Sequence, residues 1–225
     1  MFEGVEKFSC QRCGICCNNI QGNFTNKEIE KIKSAFKKLE KQGIYLGIEP
    51  EKFSIPLFPH EAIKMKKLAS KLDIDFHPVP KLFMVDAETN RCIVLEWDLG
   101  YSNCPFFDND RCLIHNDRPL ACQSFPIFPY SFSSSPEEYI LLGRCPQSEK
   151  YEHLSKEEKE KCFESEIKAV LQFSMELKRY KSIRDELIRK GLLRPLILER
   201  DEAVEVSKEA ERSDKIVSVD ELMTS

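Results

Sequence analysis

Four cysteines at C-x-x-C-x-x-C-C spacing, Cys10, Cys13, Cys16 and Cys17, restrict this chain more than any other stretch of it. Thiolates are soft, polarizable donors that select zinc, copper(I) or iron–sulfur clusters. A two-residue gap lets one short turn aim successive sulfurs at a common point, and bacterial ferredoxins use the same first three spacings around a [4Fe–4S] cube. Gly14 sits inside the loop, where the backbone must bend tightly and can approach a cluster closely. Side chains of neighbouring residues diverge in most backbone conformations. The adjacent pair Cys16 and Cys17 is therefore expected to split, three sulfurs going to one centre and one to another. A nest of buried free thiols and a disulfide knot are the competing readings.

Compartment decides between them. The N-terminus, Met1-Phe2-Glu3-Gly4-Val5-Glu6-Lys7, has neither a basic start nor an apolar run, so no signal peptide is expected. No stretch reaches the roughly 18 apolar residues of a membrane span. A cytoplasmic protein keeps its thiols reduced, and ten cysteines there point to metal or redox chemistry. The net charge of −4, with acidic and basic residues interleaved, gives nucleic acid nothing to bind.

Thr25-Asn26-Lys27-Glu28 is a capping box that opens a helix carrying Ile29, Ile32, Phe36 and Leu39 on one stripe and stopping at Gly43. Pro50, Pro56 and Pro59 break the chain that follows, and a second helix is expected from Glu61 to Leu72. The apolar runs Leu82–Val85 and Cys92–Leu95 flank a polar turn and read as a β-hairpin. Residues 98–146 are rich in proline and predict loops, with one short strand from Tyr139 to Leu142. Ser155-Lys156-Glu157-Glu158 is a second capping box. It opens one long amphipathic helix, or two, carrying Phe163, Ile167, Val170, Leu171, Leu177, Tyr180, Ile183 and Leu187 and ending near Gly191. Beyond Pro195 a charged, weakly ordered tail is expected, in which Val217 and Val219 are isolated.

A loop region as long as 98–146 is foreign to an ordinary domain, but ligand bonds can replace core burial in holding it. It carries Cys104, Cys112, Cys122 and Cys145, two of them in the Cys-Pro pairs Cys104-Pro105 and Cys145-Pro146. Ferredoxins follow a cluster ligand with proline in the same way. With the first loop this makes eight candidate ligands, enough for two [4Fe–4S] clusters or two tetrahedral zinc sites. Spacing alone does not choose between them.

The set Cys10-x-x-Cys13-Gly14-x-Cys16-Cys17, Cys104-Pro105-Phe106, Cys112-Leu113-Ile114-His115 and Arg118-Pro119-x-x-Cys122-x-x-Phe125-Pro126 resembles the CxxCxxCC cysteine-cluster family, the YkgJ-type proteins. The resemblance covers roughly residues 8–147 and implies zinc or iron chelation, in some members as Fe–S oxidoreductases. Flagellin lysine N-methylases share a similar cysteine pattern. This chain has His115 where the family often has tyrosine, and Gln123 where it often has arginine.

Cys92, in a strand, and Cys162, on a helix, read as small buried hydrophobes, with Cys92 the first substitute should one of the eight not ligate. His115 reads as a donor to a sulfur or carbonyl beside the ligands, or as a ligand itself, and Arg118 as a charge partner or a brace. His60, His77 and His153 have no cysteine neighbours. Trp97, Tyr101, Phe106, Phe107, Phe125, Phe128, Tyr130 and Phe132 are expected to wrap the second cysteine set in apolar surface. Neither a dinucleotide-binding glycine motif, a P-loop, a zinc-protease helix motif nor the C-x3-C-x2-C loop of radical-SAM enzymes is present.

The expected fold is α+β, mostly α: a loop-rich cysteine domain over residues 1–150 stapled by metal centres, with one hairpin, then a helical extension over 151–225. Function is expected to be iron–sulfur binding, with Cys10, Cys13 and Cys16 on one [4Fe–4S] cluster beside a remote fourth ligand. Cys17 would join three of Cys104, Cys112, Cys122 and Cys145 on the other. Such a protein transfers electrons to a protein redox partner or forms part of an Fe–S oxidoreductase, away from membrane and nucleic acid. A structural zinc module for protein interaction and a lysine N-methylase-like enzyme are the alternatives.

Overall fold

The computed structural model describes residues 6–22, 24–130, 139–142 and 145–223. In chain order its elements are α1 (Asn26–Glu40), β1 (Tyr45–Leu46), β2 (Pro56–Leu57), α2 (Pro59–Lys71), β3 (Val79–Val85), β4 (Cys92–Asp98), β5 (Phe107–Asp108), β6 (Arg111–Cys112), α3 (Leu120–Ser124), α4 (Lys156–Cys162), α5 (Glu164–Arg189), α6 (Arg200–Arg212) and β7 (Ile216–Ser218), with short 3-10 turns between some of them. This is the α+β, mostly α class that the sequence implies. Backbone contacts group the chain into two compact units, each made of two separate stretches. Unit 1 takes residues 1–19 and 103–178, and unit 2 takes 20–102 and 179–225.

Unit 2 is built on the predicted hairpin. β3 and β4 pair antiparallel with Val85 opposite Cys92 and Phe83 opposite Val94. The Asp86 carboxylate closes the turn by accepting the Thr89 N–H at 2.9 Å and the Thr89 hydroxyl at 2.6 Å. β1 pairs with β3, while β2 and β7 both pair with β4, β2 at Trp97 and Asp98 and β7, in parallel, at Cys92 to Val94. Tyr45, Leu57, Phe83, Met84 and Ile93 fill the interior. The capping box of α1 forms as read: Thr25 N–H donates to Glu28 Oε2 at 2.7 Å, and Glu28 N–H returns to Thr25 Oγ1 at 3.3 Å. Its stripe of Ile29, Ile32, Phe36 and Leu39 is half-buried.

The tail beyond Pro195 is ordered, contrary to expectation. α6 buries Ala203, Ser207 and Ala210, β7 joins the sheet, and Val219 is fully buried with its N–H on the Val94 carbonyl at 3.0 Å. Small side chains on one face of α6 let it approach closely, and the charges on its other face dilute the apolar signal that sequence reading depends on. Lys81, Glu96 and Asp98 are among the charged residues buried in this unit. Lys81 Nζ meets Glu96 Oε1 at 2.6 Å. Asp98 accepts the Ser54 N–H at 3.0 Å, the Ser54 hydroxyl and the Gly100 N–H at 2.9 Å. Burial still holds the Asp98 carboxyl above its ordinary range.

Unit 1 has an apolar core of Ile127, Tyr139, Tyr151, Leu154, Cys162, Phe163, Ile167 and Val170. The second capping box forms, Ser155 N–H to Glu158 Oε2 at 2.8 Å, and starts α4. At Phe163 the backbone leaves helical geometry (φ −112°, ψ 40°), so the predicted long helix is two, α4 and α5. On α5 the sequence places Leu171 on the buried stripe, but Leu171 is exposed and Phe173 is buried instead. The expected strand at 139–142 is an extended pairing with 126–128: Phe128 N–H donates to Ile140 O and Leu142 N–H to Pro126 O, both at 2.8 Å. β5 and β6 form a tight hairpin whose turn residues, Asn109 and Asp110, both lie in the left-handed region (φ 46° and 57°), the signature of a type I′ turn. No described helix is long and apolar enough to cross a membrane.

Candidate metal centre

The N-terminal loop is anchored by Phe8. Its N–H donates to the Cys162 carbonyl at 2.9 Å, and its ring lies 5.0 Å from Phe163. From that anchor Arg12 (φ 55°) and Gly14 (φ 75°) turn the chain left-handed, and residues 15–17 close a 3-10 turn with Cys17 N–H on Gly14 O at 2.8 Å. The Asn18 amide donates to the same carbonyl at 3.1 Å. A Cβ on Gly14 would stand 2.2 Å from Cζ of Phe107. Gly14→Ala therefore meets both a strained φ and an occupied space. We expect it to cost about 2 kcal/mol and to lower metal content, as measured by urea denaturation and metal analysis of the same preparation.

The second cysteine set is tied to the first through backbone. Cys104 N–H donates to the Cys17 carbonyl at 2.7 Å, and the β5–β6 hairpin sets Cys112 opposite Phe107, the residue packed on Gly14. Backbone N–H groups bond the sulfurs: Phe106 and Phe107 to Cys104, Ile114 to Cys112, Gln147 and Ser148 to Cys145. Such bonds favour the charged sulfur and so prepare it to ligate a metal. Cys122 sits on α3, its N–H on the Pro119 carbonyl at 2.9 Å.

All eight candidate cysteines lie in unit 1, and all ten cysteines of the chain are free thiols. Cys16 is the common neighbour, within electrostatic reach of Cys17, Cys104, Cys112, Cys122 and Cys145. Cys10 reaches Cys112, and Cys13 reaches Cys145. A hydrogen bond with Cys16 and then burial push the Cys17 thiol far up. Burial raises Cys104 to about 11 and also lifts Cys112, Cys122 and Cys145. Cys16 and Cys17 do not diverge as expected: the tight Gly14–Cys17 turn leaves their two unbranched side chains close enough for the thiols to bond each other. Among the described residues no three Cys, His, Asp or Glu side chains are drawn close enough together to hold a metal ion. The thiols are gathered, not closed.

The remaining candidates divide cleanly. Cys92 lies in the sheet of unit 2, fully buried, with its thiol on Ser207 Oγ at 3.6 Å, and Cys162 belongs to the apolar core of unit 1. Both are the small hydrophobes the sequence suggests. His60 bonds Tyr180 and His77 bonds Asp75, both in unit 2. Beside the cysteines, His115 Nδ1 and Arg118 Nε are buried atoms with no hydrogen-bond partner among the described residues. Burial and the neighbouring Arg118 and Arg12 hold the His115 imidazole below its ordinary pKa. The Gln123 amide donates to the Arg118 carbonyl at 2.6 Å. Of the expected aromatic wrapper, Trp97 and Tyr101 belong to unit 2, and Phe132 lies outside the described residues. Phe106 is fully buried in unit 1, and Phe128, Tyr130 and Phe173 form a chain of ring contacts there.

This donor set suits a thiolate-bound metal: eight sulfurs in one unit, three with N–H bonds in place, and unpartnered buried polar atoms beside them. A family model, CxxCxxCC, described as a candidate zinc- or iron-chelating domain, matches residues 9–162. That span contains the same eight cysteines. Searches of curated proteins and of solved structures return no significant match.

Proposed function

The chain belongs to the CxxCxxCC family, and from that membership we propose that it is an iron–sulfur protein holding two [4Fe–4S] clusters and passing electrons to a protein redox partner. The observation that carries this reading is the collection of eight thiols in one unit around a C-x-x-C-x-x-C loop. Cys145, within reach of Cys13 and Cys16, is the fourth ligand for the set Cys10, Cys13 and Cys16. Cys17, Cys104, Cys112 and Cys122, which influence one another electrostatically, form the other set. A [4Fe–4S] cluster supplies one-electron transfer at a potential set by hydrogen bonds to its sulfurs and by exposure. The chain's part is to hold the thiolates with N–H donors at Cys104, Cys112 and Cys145 and to keep water out with Phe106 and its neighbours.

Iron and acid-labile sulfide analysis on protein purified without oxygen tests the proposal. About eight of each per chain is the expected result, and about four of each would leave one cluster. Zinc without sulfide would replace the redox reading with a structural zinc module, which the N–H bonded sulfurs serve equally well.

Either metal demands deprotonated thiols, and burial keeps Cys104, Cys112, Cys122 and Cys145 protonated at neutral pH. Uptake therefore releases protons, and apparent affinity falls as pH falls, by about tenfold per pH unit for each proton released. Competition against a chelator of known pH dependence, between pH 6 and 8, measures the slope. A flat profile would mean that these thiols are not the ligands.

A further inference from the structure

Arg118 is poorly explained by the fold around it. Its Nε is buried and has no acceptor among the described residues. A buried donor left unpaired loses its hydrogen bonds to water with nothing in return, which calls for a partner that forms in another state of the site. That partner is internal, because a solute cannot reach an atom shielded from solvent. Four groups lie within electrostatic reach: the sulfurs of Cys112 and Cys122, the Glu166 carboxylate on α5 and the His115 imidazole, whose charged form the guanidinium disfavours. Among the described residues no salt bridge joins Arg118 to Glu166. The loop does not need the guanidinium as a brace, since the Gln123 amide already holds the Arg118 carbonyl at 2.6 Å.

We propose that Arg118 is a positioning residue for the metal centre, donating its Nε–H to the Cys112 or Cys122 sulfur and balancing the charge there. This rests on the thiolate centre proposed above and holds for iron or zinc alike. Four thiolates around one dication leave a net negative charge, which burial makes costly and an adjacent guanidinium offsets. An N–H bond to a ligating sulfur lowers the energy of its lone pairs, and this separates a sulfur donor from a brace experimentally.

The test loads the full-length protein with Co2+ and reads the thiolate-to-cobalt charge-transfer band, the cobalt stoichiometry and the rate of loss to a competing chelator. Arg118→Gln should move the band to lower energy at unchanged stoichiometry and release cobalt about 10–100-fold faster. Arg118→Lys, which keeps the charge without the planar donor, should fall between, and Gln123→Ala should keep the wild-type band. A band unmoved in both Arg118 variants would overturn the proposal, as would an equal shift in Gln123→Ala. Wild-type protein that takes up no cobalt would overturn the thiolate centre and this role together, a failure seen in the stoichiometry and not in the band.

Discussion

Stripping the metal from the reduced, full-length chain is expected to unfold much of unit 1 while the sheet of unit 2 stays protected. The physical reason is how little else holds the cysteine loops. Between Asn103 and Tyr130 the regular structure amounts to a two-residue-per-strand hairpin, one 3-10 turn at His115–Asp117 and the five-residue α3. Apart from Ile127, the apolar core cluster of unit 1 draws on other stretches, Phe8 and residues from Tyr139 to Val170. Structural zinc contributes about 10–16 kcal/mol to the folding of small metal domains, against about 5–15 kcal/mol of net stability for a whole protein. Hydrogen exchange reads the outcome by segment. Amides at 10–22 and 103–125 should lose protection when a chelator is added, while those of β3 and β4 keep it. Cys16→Ser, at the sulfur that neighbours five others, should reproduce part of the loss without a chelator. Unchanged protection throughout would show that the thiols do not hold this unit together.

Glu96→Ala should be strongly damaging in unit 2, at about 3–5 kcal/mol, because it takes from the buried Lys81 ammonium the carboxylate that pairs with it at 2.6 Å. Both side chains are more than nine-tenths shielded, and their 2.6 Å contact lies within the central pair of strands. The Lys81 ammonium also stands 4.8 Å from the centre of the Phe53 ring, a contact too weak to replace the ion pair. Replacing both partners at once, Lys81→Met with Glu96→Leu, should recover most of the loss, since two apolar side chains of similar volume need no counter-charge. Urea denaturation of the three variants tests this. A double variant as unstable as the single one would place the cost in packing and not in the orphaned charge.

Local signals in the sequence carried over well, because each is complete within a few residues. The capping boxes at Thr25 and Ser155 need only a hydroxyl and a carboxylate three positions apart, and both form. The hairpin at 79–98 needs two apolar runs and a turn. Family membership was readable for the same reason, its motifs being fixed short spacings. The errors lie where a residue's fate depends on something distant. Leu171 and Phe173 fit a helical stripe almost equally well, and only the neighbours of α5 decide that Phe173 is the one buried. The tail looked weakly ordered because its strand, three residues long, has no meaning until β4 offers an edge.

For the candidate metal site, sequence alone supplied the soft donors, the eight candidates among them, and the glycine of the turn that leads into Cys16 and Cys17. It also set Cys92 and Cys162 apart, because strand and helix positions within apolar runs are local facts. Only the tertiary structure decided that the eight candidates share one unit assembled from residues 1–19 and 103–178. It alone placed Cys16 among five other sulfurs, brought the Cys16 and Cys17 thiols together, moved Trp97 and Tyr101 to the other unit, and buried Arg118 Nε without an acceptor. A spacing motif says which atoms can bind. Which atoms meet, and what surrounds them, depends on contacts between stretches far apart in the chain, and these exist only after folding has brought the stretches together.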